Sequence, residues 1–244
     1  MKKTVIIQGK VHEWTQKNIN AFKDFGGYRI IFSTWKGEKK IPKGCETVFL
    51  EDPGIGPIQN FSRQLKGFNG VEDVKEGFLV KTRSDMAHML DPFCLFESIK
   101  VEKNDFCLFD HKLFINNIMT IDPRIAIPGE GKRNFSITDW VLFGMASDVR
   151  RWYEISGSKV SKHVNCCEQI FTLSNFLKTR ASKNLKIDEF NHEENFNMFL
   201  NFLETNFVVK NTYTTLNSVC AKYQHQPENL PFYIKEDTKL GDLL

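Results

Sequence analysis

The stretch that most constrains the fold is Gly77-Phe-Leu-Val-Lys-Thr-Arg-Ser-Asp85. Its apolar run reads as a buried strand, opened by a glycine and releasing Arg83, Ser84 and Asp85 at its end. In an open α/β sheet the carboxyl ends of the strands are where ligands bind. An aspartate emerging there beside arginine and serine suits a divalent metal and the phosphates it carries, which points towards sugar-nucleotide chemistry.

The rest of the chain supplies strands and helices to build such a sheet. Thr4 to Ile7 is a short β-branched run, and Gln16 to Phe25 carries apolar residues at helical spacing before Gly26-Gly27 stops it. Tyr28 to Phe32 and Thr47 to Leu50 read as strands two and three, ending at Ser33-Thr34-Trp35 and Glu51-Asp52-Pro53-Gly54. A helix from Ile58 to Phe68 precedes the strand at 77–82. Two further strands are expected at Asp105 to Phe109 and Lys112 to Asn116, then a strand passing into a helix between Asp139 and Tyr153. Helices follow at 168–178 and from Glu193 to Phe207. This alternation predicts an α/β fold with a mostly parallel sheet flanked by helices. The expected division is a Rossmann-like core over 1–182 with a helical extension over 183–244 packed on it.

With 244 residues, 41% of them hydrophobic, the chain can bury a substantial core. A formal charge of +3 is too mild to argue for nucleic acid, and the basic pairs Lys39-Lys40, Lys132-Arg133 and Arg150-Arg151 are dispersed. The six cysteines show no C-x-x-C pairing, as expected of reduced thiols in cytosol. The first apolar run is far too short for a signal peptide, and no stretch approaches the length of a membrane span. A cytoplasmic chain is expected, with peripheral contact at the inner face of a membrane.

Five short motifs occur in order: Ser33-Thr34-Trp35, Asp52-Pro53-Gly54, Asn60-x-x-Arg63-Gln64, Lys81-Thr-Arg-Ser-Asp85 and Thr138-Asp139-Trp140. Together they resemble the WavE-type lipopolysaccharide-synthesis family of glycosyltransferases, over roughly Ile31 to Phe176. The resemblance implies a GT-A-like fold and transfer of a sugar from a nucleotide-sugar donor to a lipid-linked or oligosaccharide acceptor during synthesis of lipopolysaccharide or capsule. It also implies a divalent metal, Mn²⁺ or Mg²⁺, at Asp85. The chain departs from the D-x-D pattern of GT-A enzymes, since Arg83 stands two residues before Asp85, where its guanidinium can take over part of the metal's countercharge.

The same resemblance assigns residues to roles. Gln8, Gly9 and Lys10 after the first strand, and Ser33, Thr34 and Trp35 after the second, stand where a GT-A fold receives base and ribose. Trp35 either stacks on the base or packs within the fold. Asp52 either accepts a ribose or base hydrogen bond or forms a turn before Pro53-Gly54. Asn60 and Arg63 lie on the helix before the metal strand, and Arg63 and Arg83 are the candidate countercharges for a departing diphosphate, Arg63 being equally readable as a surface residue. Asp85 is either the metal ligand or the N-cap of a helix over Met86 to Leu90. Glu168 and Asp139 compete for the base of an inverting transfer, with Glu168 better placed by order and Asp139 orienting the acceptor wall. Glu168 also reads as a favourable charge in the first turn of a helix.

The six histidines lack metal-site spacing, no G-x-S-x-G elbow occurs, and Gly54-Ile-Gly56-Pro57 does not complete a P-loop. Two other functions fit the same fold: a non-catalytic sugar-nucleotide or glycan binding protein, and a metal-dependent sugar-phosphate transferase.

Overall fold

A computed structural model describes residues 1–54, 60–115, 137, 140–155, 167–185, 193–210 and 219–220. The strands are β1 (Lys3–Gln8), β2 (Tyr28–Trp35), β3 (Glu46–Leu50), β4 (Phe78–Arg83), β5 (Met86–Ala87), β6 (Leu113–Ile115), β7 (Val141–Met145), β8 (Phe207–Val209) and β9 (Val219–Cys220). The helices are α1 (Thr15–Phe25), α2 (Phe61–Asn69), α3 (Ala146–Tyr153), α4 (Cys167–Phe176) and α5 (Glu193–Asn206).

Seven strands form one mixed sheet in the order β3-β2-β1-β4-β7-β6-β8. The first four are mutually parallel, and β7 runs against both β4 and β6, while β6 and β8 pair in parallel. β1 and β4 are central and buried on both faces, which is why Val5-Ile-Ile7 and Phe78-Leu-Val80 are continuous apolar runs rather than alternating ones.

The period of two sends alternate side chains to opposite layers. Val5, Ile7, Ile30, Phe32, Phe78 and Val80 face one cluster with Ile19 and Phe22 of α1. Ile6, Ile31 and Leu79 face a larger cluster with Phe68 of α2, Trp152 and Tyr153 of α3, Phe171 of α4 and Phe199 of α5. The sheet is thus sandwiched between α1 on one side and α2 to α5 on the other. Phe68 and Tyr153 stack at 4.0 Å and 21°, joining α2 to α3 in that layer.

Three expectations are corrected. Residues 105–109 form no strand, because Asn104 Oδ1 accepts from Phe106 N in a local turn. The segment is instead tied down by the Asn206 side chain, which accepts from Leu108 N and donates to Phe106 O. Met86 and Ala87 are extended and pair with Cys220 and Val219, so Asp85 caps no helix. Finally, α5 stops at Asn206, and Phe207–Val209 joins the main sheet beside β6.

Candidate functional site

After β1 the chain steps outward to β2 and β3, then returns across β1 to place β4 on its other side. The order therefore reverses between β1 and β4, and the crevice outside their carboxyl ends is a topological switch point, where ligands bind in sheets of this kind. Register aligns Gln8 with Ser33 on one flank and with Arg83 on the other. Ser84 N donates to Gln8 O at 2.9 Å and Gly9 N to Ser33 O at 3.1 Å, so the three strand ends are laced together. Gly9 has φ +137°, and a Cβ there would lie 2.5 Å from Ser84 Oγ. Glycine is thus favoured where the chain leaving β1 passes closest to Ser84.

Arg83 closes on Asp85 in a bidentate pair, with Nε to Oδ1 at 2.9 Å and Nη2 to Oδ2 at 2.7 Å. Burial pushes the Asp85 carboxyl up, but the Arg83 pair, a backbone hydrogen bond and the nearby His12 outweigh it and hold the group below the usual carboxylate range. The backbone beneath is fixed from α1: Asn18 Nδ2 donates to Arg83 O and Thr15 Oγ1 to Ser84 O. Below them Thr82 Oγ1 and His88 Nε2 share a hydrogen bond of 2.8 Å in the core. The donor set is a poor fit to a divalent cation, being one carboxylate whose oxygens both already pair with a guanidinium. Among the described residues no three His, Cys, Asp or Glu side chains gather around a common point.

The α2 side absorbs several of the expected nucleotide residues into structure. Gln8 Nε2 donates to Arg63 O and Gln64 O, and Ser33 Oγ donates to Gly67 O at 2.6 Å. Thr34 is fully buried and Trp35 nearly so, which makes Trp35 a core residue rather than an open stacking surface. Asp52 pairs bidentately with Arg63, at 2.7 and 2.5 Å, and also accepts from Gly54 N. It is at once turn former and ion-pair partner. The Arg63 pair lowers the Asp52 carboxyl, with smaller help from Gly54 N and Lys10. Lys10 and Asn60 are exposed, and Asn60 O accepts from Gln64 N at the start of α2.

Glu168 lies half-buried in the first turn of α4. Gln64 Nε2 donates to Cys167 Sγ at 3.3 Å, and Cys167 Sγ donates to Glu168 Oε2 at 3.1 Å. Glu168 is therefore wired to the β1 end through α2. Gln64, Cys167, Ser84 and Thr15 are the residues that organise this end of the sheet without having been assigned a role, and only long-range pairing reveals them. Asp139, the other expected base, lies outside the described residues, as does Thr138. Two surface recesses, of about 620 and 580 Å³, lie away from the crevice: one at the amino ends of β1 and β2 around Lys3 and Arg29, the other between Phe106 and Glu204. Among the described residues no helix is long and apolar enough to cross a membrane.

No protein-family model matches the sequence, and no curated protein matches it. Among solved structures the chain overlaps the galactosyltransferase LgtC, in complex with donor and acceptor sugar analogues, at 12% identity and a TM-score of 0.42, over 70% of this chain and 69% of that one. It overlaps the glycosyltransferase GlyE of Streptococcus pneumoniae TIGR4 at 13% identity and 0.36, over 88% of this chain and 46% of that one. The apo form of GlyE overlaps at 14% and 0.33, over 85% of this chain and 45% of that one. The chain thus spans about two thirds of LgtC and less than half of GlyE.

Proposed function

We propose that the protein transfers a sugar from a nucleotide-sugar donor to a lipid-linked or oligosaccharide acceptor in the building of bacterial surface glycan, in the manner of the WavE-type family its motifs resemble. The observation that carries this reading is the β1–β4 switch point, where Gly9 and Lys10 leave one strand end beside the Arg83–Asp85 pair that leaves the other.

Glycosyl transfer needs cationic groups where the diphosphate departs. The bond from the anomeric carbon to the phosphate oxygen breaks, its electrons leave with the diphosphate, and the acceptor oxygen forms the new bond. Arg83 faces the departing charge, with Lys10 and Arg63 at the margin. Glu168, oriented by Cys167, takes the acceptor proton in an inverting transfer. The sequence pI of about 8.4 suits work against an anionic membrane face.

The test is to incubate the protein with a panel of nucleotide sugars and saccharide or lipid-linked acceptors, following both the released nucleotide and the labelled glycan. Release of a nucleoside diphosphate with a glycan one sugar longer is expected. Release of a nucleoside monophosphate would make the protein a sugar-phosphate transferase instead. Nucleotide binding without either product would make it a binding protein.

A further inference from the structure

We infer that the diphosphate of the donor is held by the Arg83 guanidinium without a divalent cation, and that Asp85 is the partner that positions this guanidinium rather than a metal ligand. The inference rests on the glycosyltransferase reading above and specifies the ligand chemistry of that site.

The first ground is the way the carboxylate is used. Both Asp85 oxygens receive an Arg83 N–H, at 2.9 and 2.7 Å, in the planar fork arrangement that fixes a guanidinium in one orientation. Mg²⁺ or Mn²⁺ bound at Asp85 would have to share a carboxylate whose two oxygens already pair with Arg83, and would stand beside that positive charge. The carboxylate stays ionised in this pair, so it serves the guanidinium at any pH near neutrality.

The second ground is the rigidity of the mount. Arg83 is the last residue of β4, a central strand. Its carbonyl accepts from Asn18 Nδ2, and the next residue is bonded on both sides, Ser84 N donating to Gln8 O and Ser84 O accepting from Thr15 Oγ1. A cation held this firmly at a strand exit is organised before the ligand arrives, which is what stabilising a leaving diphosphate requires. The third ground is the local charge. Lys10 follows Gly9 across the crevice, and Arg63, though paired with Asp52, is on the adjoining helix. Each arginine is paired with a carboxylate, so Lys10 brings the net positive charge here and the guanidinium of Arg83 brings directed N–H donors.

The experiment measures the melting temperature of the full chain against ADP, CDP, GDP and UDP, once in EDTA and once with Mn²⁺ or Mg²⁺, because a ligand of the folded state raises it. One diphosphate should give the same upward shift in both conditions. Arg83→Gln should weaken that binding by about a hundredfold or more in EDTA, the scale of two lost charge-assisted hydrogen bonds. Asp85→Asn should keep it within about tenfold, since the guanidinium remains. Arg83→Lys keeps the charge but loses the fork, and it should bind more weakly than wild type while retaining the wild-type ligand-free melting temperature more nearly than Arg83→Gln. A shift that appears only with the cation, or one abolished by Asp85→Asn and kept by Arg83→Gln, overturns the metal-free site while leaving the transferase reading intact. No shift with any diphosphate in either condition overturns both.

Discussion

Gly9 and Ser84 meet across the gap between β1 and β4 so closely that one added carbon on Gly9 would stand 2.5 Å from the Ser84 hydroxyl oxygen. The close approach of the two strand exits therefore depends on the absence of a side chain at position 9.

Two costs should separate when Gly9 is changed. Gly9→Ala meets an unfavourable φ, worth about 1–3 kcal/mol, and a contact with Ser84 of roughly similar size. Ser84→Gly placed in the Gly9→Ala background should remove the contact cost and leave the backbone cost. Urea midpoints of the two single mutants and the double mutant should give a coupling of about 1 kcal/mol or more. Simple additivity of the two changes would mean that the residues do not touch.

Two carboxylates placed differently should respond differently to truncation. Asp148 is fully buried in the first turn of α3 and accepts from Asp110 N, His111 N and His111 Nδ1, so Asp148→Ala removes three hydrogen bonds to one buried carboxylate. The expected loss is about 3 kcal/mol. Asp52 is well paired with Arg63 but partly open to water, and Asp52→Ala should cost about 1 kcal/mol or less, falling further in high salt. Chemical denaturation of the two variants checks the ranking, and equal losses would contradict it.

The same contrast explains what could be read in the sequence. Local signals located β1, β2, β4, α1 and α2, because continuous apolar runs, helical spacing and Gly26-Gly27 act over a few residues. They failed at 105–109, where the apolar Phe106 to Phe109 is held as a loop by Asn206, 98 residues away from Leu108. At the site, the strand exits were legible, but not that the β1 exit at Gln8 lies beside the β4 exit at Arg83, which only the sheet order reveals. The partners of the charges were not legible either. Arg63 and Arg83 read alike as countercharges, yet each is tied to a carboxylate, Arg63 to Asp52 across 11 residues of chain and Arg83 to Asp85 across two. The second spacing was visible, but two residues on an extended strand point the same way only if the chain stays near that geometry beyond its end.

Glu168 offers a direct check on the proposed chemistry. If its carboxylate takes the acceptor proton, Glu168→Gln keeps a hydrogen-bonding side chain next to Cys167 while removing the base. Transfer should fall by about 10²–10⁴-fold, with the donor dissociation constant nearly unchanged. Single-turnover transfer and equilibrium donor binding measure the two parts. Wild-type rates in Glu168→Gln would take the residue out of the mechanism.

The core histidine predicts a pH dependence whose sign is fixed by burial. His88 is enclosed behind β4, with its ring 5.1 Å from Phe22 and Nε2 bonded to Thr82 Oγ1, and desolvation lowers its pKa from 6.5 to about 3. Between these values the unfolded chain binds a proton that the folded chain refuses. Stability is then complete above pH 6.5 and declines as pH falls towards 3, by about 1.4 kcal/mol per pH unit from this group. Asp85 adds to the loss only lower down: its folded carboxyl is depressed, so its contribution is present above the ordinary carboxylate range and disappears as pH falls through and below that range. His88→Gln retains a partner for the Thr82 hydroxyl and has nothing to protonate. Urea unfolding at pH 7, 6, 5 and 4 should therefore show a steep decline in wild type and a flatter one in the variant, with the two slopes converging only towards pH 3, where folded His88 itself takes up the proton. Parallel slopes between pH 6 and 5 would show that His88 is protonated in the folded protein.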